Sequence, residues 1–314
     1  MVRGELVDPL GPQDPLEDDL GGPEGGGALR SPGELPGQGG RSQEEGWLLS
    51  VLTVSVCQVE VVRGEPHRNV EHVLELARLA AAAEVDVVLL PEIWNASVPL
   101  EEVGLYMDSE WIDGARDELS RIARGYGVNL VAGSMVVGDE GRLFNRSFVY
   151  DRRGREIFRY DKLHVYEGLG EQGYISPGSS LGLFELDGVR MGLAICFDLD
   201  FPEVCRALAL RGAKLVLAPV AWQTEFLYAM RHLAAARALE NQVFVVTCNR
   251  CDEGSRVSYG GHSMGYGPDG KKVFELSDRE MVFRVELDLS YVERIRGSYR
   301  VFSARRPSLY RRWR

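Results

Sequence analysis

A mixed α/β fold, with helices covering mixed sheets, is predicted by three observations. Short apolar runs with the period of a strand alternate with amphipathic helical stretches between residues 49 and 249. Turn sequences at residues 151–154 and 268–270 insert hairpins among them, so the sheets are not all-parallel. The length of 314 residues, 45% of them hydrophobic, suffices for one large domain or two small ones.

Residues 1–46 hold 12 of the 36 glycines and six of the 14 prolines. They hold few apolar residues to offset the entropy of ordering, so a disordered Gly/Pro-rich tail is expected over 1–46 and a folded unit over 47–314. Residues 49–57 read as a β-rich strand. Residues 67–83 read as a helix, with Val70, Val73, Leu74, Ala77 and Ala81 on one face. A short strand over 85–90 runs into Pro91 and Glu92. A second helix over 115–126 aligns Ala115, Leu119, Ile122, Ala123 and Tyr126. Strands follow over 128–137, 146–151 and 155–160, the last two as a hairpin. Val189, Met191, Leu193 and Ile195 alternate as a half-buried strand, and Pro202-Glu203 opens a helix. A strand over 214–218, a helix over 227–241 and strands over 243–249, 261–267, 271–276 and 281–287 complete the core. The arginine-rich residues 288–314 read as a solvated or subunit-contacting tail.

A net charge of −11 disfavours nucleic acid as a partner. Five scattered cysteines suggest free thiols in a reducing compartment. No apolar run reaches the roughly 18 residues of a membrane span, and no secretory layout opens the chain. A cytoplasmic protein that does not engage membranes is expected.

Three motifs end strands: Leu90-Pro91-Glu92, Tyr160-Asp161-Lys162-Leu163-His164 and Cys196-Phe197-Asp198. Groups at strand ends gather on one rim of a sheet, however far apart they lie in the chain. Each motif alone fits a bland reading: a solvated loop acid, a loop lysine, a small buried thiol. A cysteine on a sharp strand-to-helix turn, however, stands clear of the sheet beside backbone N–H groups.

Glu92, Lys162 and Cys196, in that order and those settings, resemble the nitrilase superfamily of carbon–nitrogen hydrolases. Further marks are Glu171 before Gln-Gly-Tyr, Arg237-Ala238-Leu239-Glu240-Asn241 and Gly261-His262-Ser263. The resemblance spans about Leu49 to Tyr310. It implies a four-layer αββα sandwich, a Glu-Lys-Cys triad and a homodimer or larger homo-oligomer, and it makes Glu171 a second pocket glutamate that orients substrate or Lys162. An exposed loop acid is the competing reading of Glu171.

The chemistry asks for the same groups. A thiol is mostly protonated at neutral pH and needs a base. Attack on an amide puts negative charge on its oxygen, where the Lys162 ammonium and the Phe197 N–H would stabilise it. Glu92 would serve as base and acid, and covalent catalysis would split the hydrolysis into two steps through a thioester. No metal or other cofactor is expected. Trp94 and Trp222 either line the substrate pocket or fill the core. His164 and His262 are alternative partners for Cys196, and Cys248 and Cys251 have a metal-like spacing with no second pair. Cys205 reads as packing, and Asp198 as an acid that binds backbone N–H groups at the turn.

Phe-Asp after the cysteine is more like the amidase and carbamoylase branches than the Trp-Glu of true nitrilases, which favours a small aliphatic amide as substrate. The stretch from Ile295 to Tyr310 looks like the C-terminus of omega-amidase-type members. Those members commonly carry arginine where Asp200 stands, and an aspartate in the pocket would repel an anionic substrate. An N-carbamoyl amine or a nitrile is the alternative substrate; a silent binding module or an acyltransferase is the alternative from another class.

Overall fold

Two β-sheets lie face to face, with helices on each outer side. The computed structural model describes residues 3–7, 50–96, 106, 110–169, 171–252 and 257–313. The first sheet contains β1 (Gly4–Leu6), β2 (Val51–Gln58), β3 (Val87–Leu89), β4 (Asn129–Val131), β5 (Met135–Asp139), β6 (Arg142–Tyr150), β7 (Glu156–Asp161) and β14 (Met281–Asp288). Its order is β1-β14-β2-β3-β4-β6-β5, and β7 also pairs with β6. The second contains β8 (Leu183–Leu186), β9 (Val189–Leu193), β10 (Leu215–Val220), β11 (Phe244–Asn249), β12 (Met264–Tyr266) and β13 (Lys272–Glu275), in the order β13-β12-β11-β10-β9-β8. Both sheets mix parallel and antiparallel pairs, as β2–β3 and β14–β2 illustrate.

Alternation along the strands builds the layers. Leu52, Val54, Val56 and Leu89 of the first sheet meet Met191, Leu193, Leu215, Leu217 and Val246 of the second in one core. The neighbouring Cys57, Val88 and Leu130 face outward onto α1 (Pro66–Ala82) and α2 (Glu110–Tyr126), through Val73, Ala77 and Leu119. On the other side Val216, Ala218 and Val245 face α3 (Pro202–Leu210) and α4 (Leu227–Asn241), through Leu208, Met230 and Ala234. The result is the expected αββα sandwich.

Several expectations are corrected. Gly4–Leu6, inside the segment expected to be disordered, pairs with β14, because backbone hydrogen bonding to an open sheet edge does not depend on an apolar sequence; residues 8–46 lie outside the described residues. The strand expected over 128–137 breaks into β4 and β5 at Gly133. That glycine has φ +60°, and a Cβ there would stand 2.0 Å from the Pro91 carbonyl oxygen. The strand expected over 261–267 shortens to β12, since Gly261 and His262 both have positive φ. Tyr126, placed with the buried face of its helix, is 48% exposed. The C-terminal tail is not wholly irregular: α5 (Ser290–Ser298) and α6 (Pro307–Tyr310) form, and the Phe302 ring between them is flanked by the Arg206 and Arg296 guanidinium groups. Among the described residues no helix is long and apolar enough to cross a membrane.

Candidate active site

Three strand ends converge. Glu92 follows β3, Lys162 follows β7 and Cys196 follows β9. The Lys162 ammonium donates to Glu92 Oε1 at 2.8 Å and lies 3.1 Å from Glu171 Oε2. Glu92, Lys162 and Glu171 are all buried. Asn145 Nδ2 also donates to Glu92 Oε1, at 2.8 Å, and the Ala221 N–H to Oε2, at 2.7 Å. Every oxygen of the Glu92 carboxylate thus has a fixed donor, which a buried charge requires. Glu171 is held by the Tyr166 N–H at 3.0 Å. Its reading as an exposed loop acid is therefore set aside.

Cys196 begins a single 3-10 turn, Cys196–Asp200, with φ +44°. A left-handed conformation is uncommon outside glycine and is held here by its surroundings. Asp198 supplies them. Its Oδ2 accepts from the Ile195 N–H at 3.0 Å and the Tyr160 hydroxyl at 2.8 Å, and its Oδ1 accepts from the His164 N–H at 3.0 Å. His164 Nδ1 is 2.8 Å from the same Oδ1. Asp198 therefore ties the cysteine turn to the strand end that carries Lys162. Arg237 closes the other side, its Nε donating to the Leu199 carbonyl at 2.8 Å and its Nη2 to the Asp200 carbonyl at 2.9 Å.

The charges act on one another. Burial pushes the Cys196 thiol well above its ordinary pKa, and the Glu92 carboxylate adds to the push; Lys162 and the Ala221 N–H oppose it. Burial pulls the Lys162 pKa down, but Glu92 and Glu171 outweigh it and hold the ammonium well above its usual range. Burial raises Glu171, and Lys162 pulls it back down while Glu92 pushes it up. The site thus sets a thiol raised by burial beside the buried Glu92–Lys162 ion pair.

The thiol opens onto a cavity of about 190 Å³, smaller than the ~300–1,000 Å³ of drug-sized ligand pockets. Tyr166, Phe197, Trp222 and Phe226 supply aromatic walls, and Asp200 and Gln223 supply polar ones. Phe197, Trp222 and Asp200 all line the cavity. Trp94 does not: it is fully buried among α1 and α2 residues, with its Nε1–H donated to the Ala132 carbonyl at 2.7 Å. Ile93 has φ +46°, and the backbone turn after Glu92 sends the indole away from the cavity.

The remaining candidates take structural places. His164 stacks on Phe201 with centroids 3.7 Å apart and turns its Nδ1 to Asp198, and His262 pairs with Glu275. Cys248 is buried in β11 and donates to the Cys57 carbonyl, Cys251 is buried just after it, and Cys205 is buried in α3. Sequence reasoning missed Asn145, whose signal was an amide inside an apolar strand. It missed Arg250 as well, which pairs with Asp252 and ties down the Ile93 and Ala96 carbonyls after Glu92.

An αββα sandwich with this buried set at its strand ends is the architecture of a carbon–nitrogen hydrolase. The sequence profile of that family, carbon-nitrogen hydrolase, matches residues 53–297, and the chain belongs to it. It is an amide-hydrolysing member of the nitrilase superfamily. The chain is 33% identical over 258 residues to the 2-oxoglutaramate amidase of Bacillus subtilis, covering 82% of this chain and 99% of that one. It is 30% identical over 253 residues to an omega-amidase of Xenopus tropicalis, covering 77% and 91%. Among solved structures, a mutant of the amidase from Nesterenkonia sp., with the acetamide moiety of fluoroacetamide added covalently at its active-site cysteine, superposes with a TM-score of 0.73 at 26% identity, covering 84% of this chain and 97% of that one.

Proposed function

We propose that the protein hydrolyses a small aliphatic amide to the carboxylic acid and ammonia through a thioester on Cys196. The observation that carries this reading is the buried Glu92–Lys162 pair at 2.8 Å, set against a cysteine that lines a small cavity. As the sulfur attacks the amide carbon, the C–S bond forms and Glu92 takes the thiol proton. The carbonyl oxygen becomes an oxyanion, facing the Lys162 ammonium and the Phe197 N–H. Glu92 returns the proton to the amide nitrogen, the C–N bond breaks and ammonia leaves. Water, deprotonated by Glu92, then attacks the thioester carbon; the C–S bond breaks and the proton returns to sulfur. Glu171 steers Lys162 throughout. The nitrilase-superfamily amidase from Nesterenkonia, which carries its adduct on cysteine, supports the same assignment here.

The test is ammonia release from a panel of small amides, carbamoyl amines and nitriles, with mass spectrometry of the quenched enzyme. At least one aliphatic amide should be turned over, and an acyl adduct should map to Cys196. Cys196→Ala should abolish both; ammonia release that survives in the variant overturns the assignment. The exposed Tyr299, Val301 and Trp313 near the C-terminus support self-association, which sedimentation of the purified chain would reveal. Five free thiols support a reducing compartment such as the cytoplasm.

A further inference from the structure

We propose that Asp200 selects amides whose far end carries a positive charge, so that the substrate is a short ω-ammonium amide and not a carboxylate-bearing one. This rests on the amidase reading of the site. Asp200 sits four residues beyond the nucleophile, on the same turn, and lines the same cavity. Its carboxylate has no ion pair among the described residues, and its Oδ2 is buried without a hydrogen-bond partner. The nearest cations are committed elsewhere. Arg237 spends its donors on the Leu199 and Asp200 carbonyls and on Glu240, and Lys162 is bound between Glu92 and Glu171.

The rest of the cavity fits the same ligand. Among its described lining residues there is no lysine, arginine or histidine that could receive a substrate carboxylate. Glu225, on the turn that carries the lining residues Gln223 and Phe226, adds a second negative charge acting on the Tyr166 hydroxyl. Tyr166, Phe197, Trp222 and Phe226 line the cavity, and aromatic rings can attract a cation through their faces. A carboxylate with one oxygen unpaired and no ion pair among the described residues, beside aromatic side chains, suits an ammonium; a second carboxylate there would meet like charge. Burial holds the Asp200 carboxyl above its ordinary pKa, against the pull of Arg237. An arriving ammonium would oppose that shift and favour the charged carboxylate.

The experiment uses the full chain and three amides of matched length: 5-aminopentanamide, hexanamide and 5-amino-5-oxopentanoate. Ammonia release should give kcat/KM in the order cation, neutral, anion, with the cation ahead of the neutral amide by about tenfold or more, mostly through KM. Asp200→Asn should bring that ratio to within about threefold, and Asp200→Arg should turn the preference toward the anion. A wild-type enzyme that prefers the anion or the neutral amide overturns the proposal while leaving the amidase reading intact. So does a folded Asp200→Asn variant that keeps the preference for the cation. If all three amides and the wider panel are inert, the amidase reading itself fails. The wild-type order stands as a test even where a variant does not fold.

Discussion

Asp198 touches none of the reacting atoms, yet it should be among the most costly residues to change. Its two oxygens receive the Ile195 N–H, the Tyr160 hydroxyl, the His164 N–H and one side of the His164 ring, all at 2.8–3.0 Å. Asp198→Ala would orphan them. The His164 N–H and ring belong to a partly exposed residue that water can reach; the Ile195 N–H and Tyr160 hydroxyl are buried and cannot be reached. Two buried donors left without acceptors, at roughly 1–3 kcal/mol each, predict a loss of about 2–6 kcal/mol. Asp198→Asn keeps one acceptor oxygen and turns an NH₂ toward the Ile195 N–H, while the tyrosine hydroxyl can rotate to accept. One orphaned donor then predicts about 1–3 kcal/mol. Both changes free the left-handed turn at Cys196, and a misplacement on the order of 1 Å costs about 10²-fold in rate. Denaturant unfolding followed by far-UV dichroism measures the first quantity, and steady-state ammonia release the second. The loss should fall on kcat more than on KM, because the cavity walls remain. An Asp198→Asn variant with unchanged midpoint and kcat would refute the claim that this carboxylate holds the nucleophile in place.

Lys162→Met leaves Glu92 and Glu171 buried without their shared cation. Stability should fall by about 3–5 kcal/mol in denaturant titration, and kcat by at least about 10²-fold. Glu171→Gln keeps the shape but loosens Lys162; kcat should fall with KM little changed, and a change confined to KM would instead make Glu171 a substrate-binding group. Gly133→Ala puts a Cβ against the Pro91 carbonyl at a positive φ. The chain beside Glu92 must then shift, lowering both the unfolding midpoint and kcat; an unchanged midpoint counts against the close approach. Because the Asp200 carboxyl is raised by burial, its ionisation costs more in the fold than in the unfolded chain. Its contribution to stability is complete below the ordinary carboxylate value of about 4 and is lost as pH rises through the folded value. Asp200→Asn should therefore gain in thermal midpoint relative to the parent above that range, with the gap closing as pH falls toward it.

Periodicity and turn chemistry are local, and so the order of helices and strands was legible in the chain. Mixed sheets covered by helices were legible from those patterns, whereas the αββα layering was expected from the family resemblance; in the fold β2 and β10 each serve two cores. The three motifs could be read because nucleophile, carboxylate and ammonium sit at strand ends, where a sheet gathers its termini whatever their separation in sequence. The partners of those groups were illegible. Asn145 is opposite Glu92 only because β6 pairs with β4, and Asp198 meets Tyr160 only because the two sheets stack. The pairing of Gly4–Leu6 with β14 joins opposite ends of the chain, which no local pattern encodes.

By itself, then, the amino-acid order determined which elements form and which reactive side chains end them, since both follow from neighbours in the chain. Only the folded molecule decided where Trp94 and Trp222 go, why the cysteine turn tolerates a left-handed backbone, and that Asp200 lines the cavity with no ion pair among the described residues. Those outcomes depend on contacts between residues 34 to 38 apart in the chain. Burial, charge and hydrogen bonding at such contacts are properties of the packed interior, and they exist only once the sheets have come together.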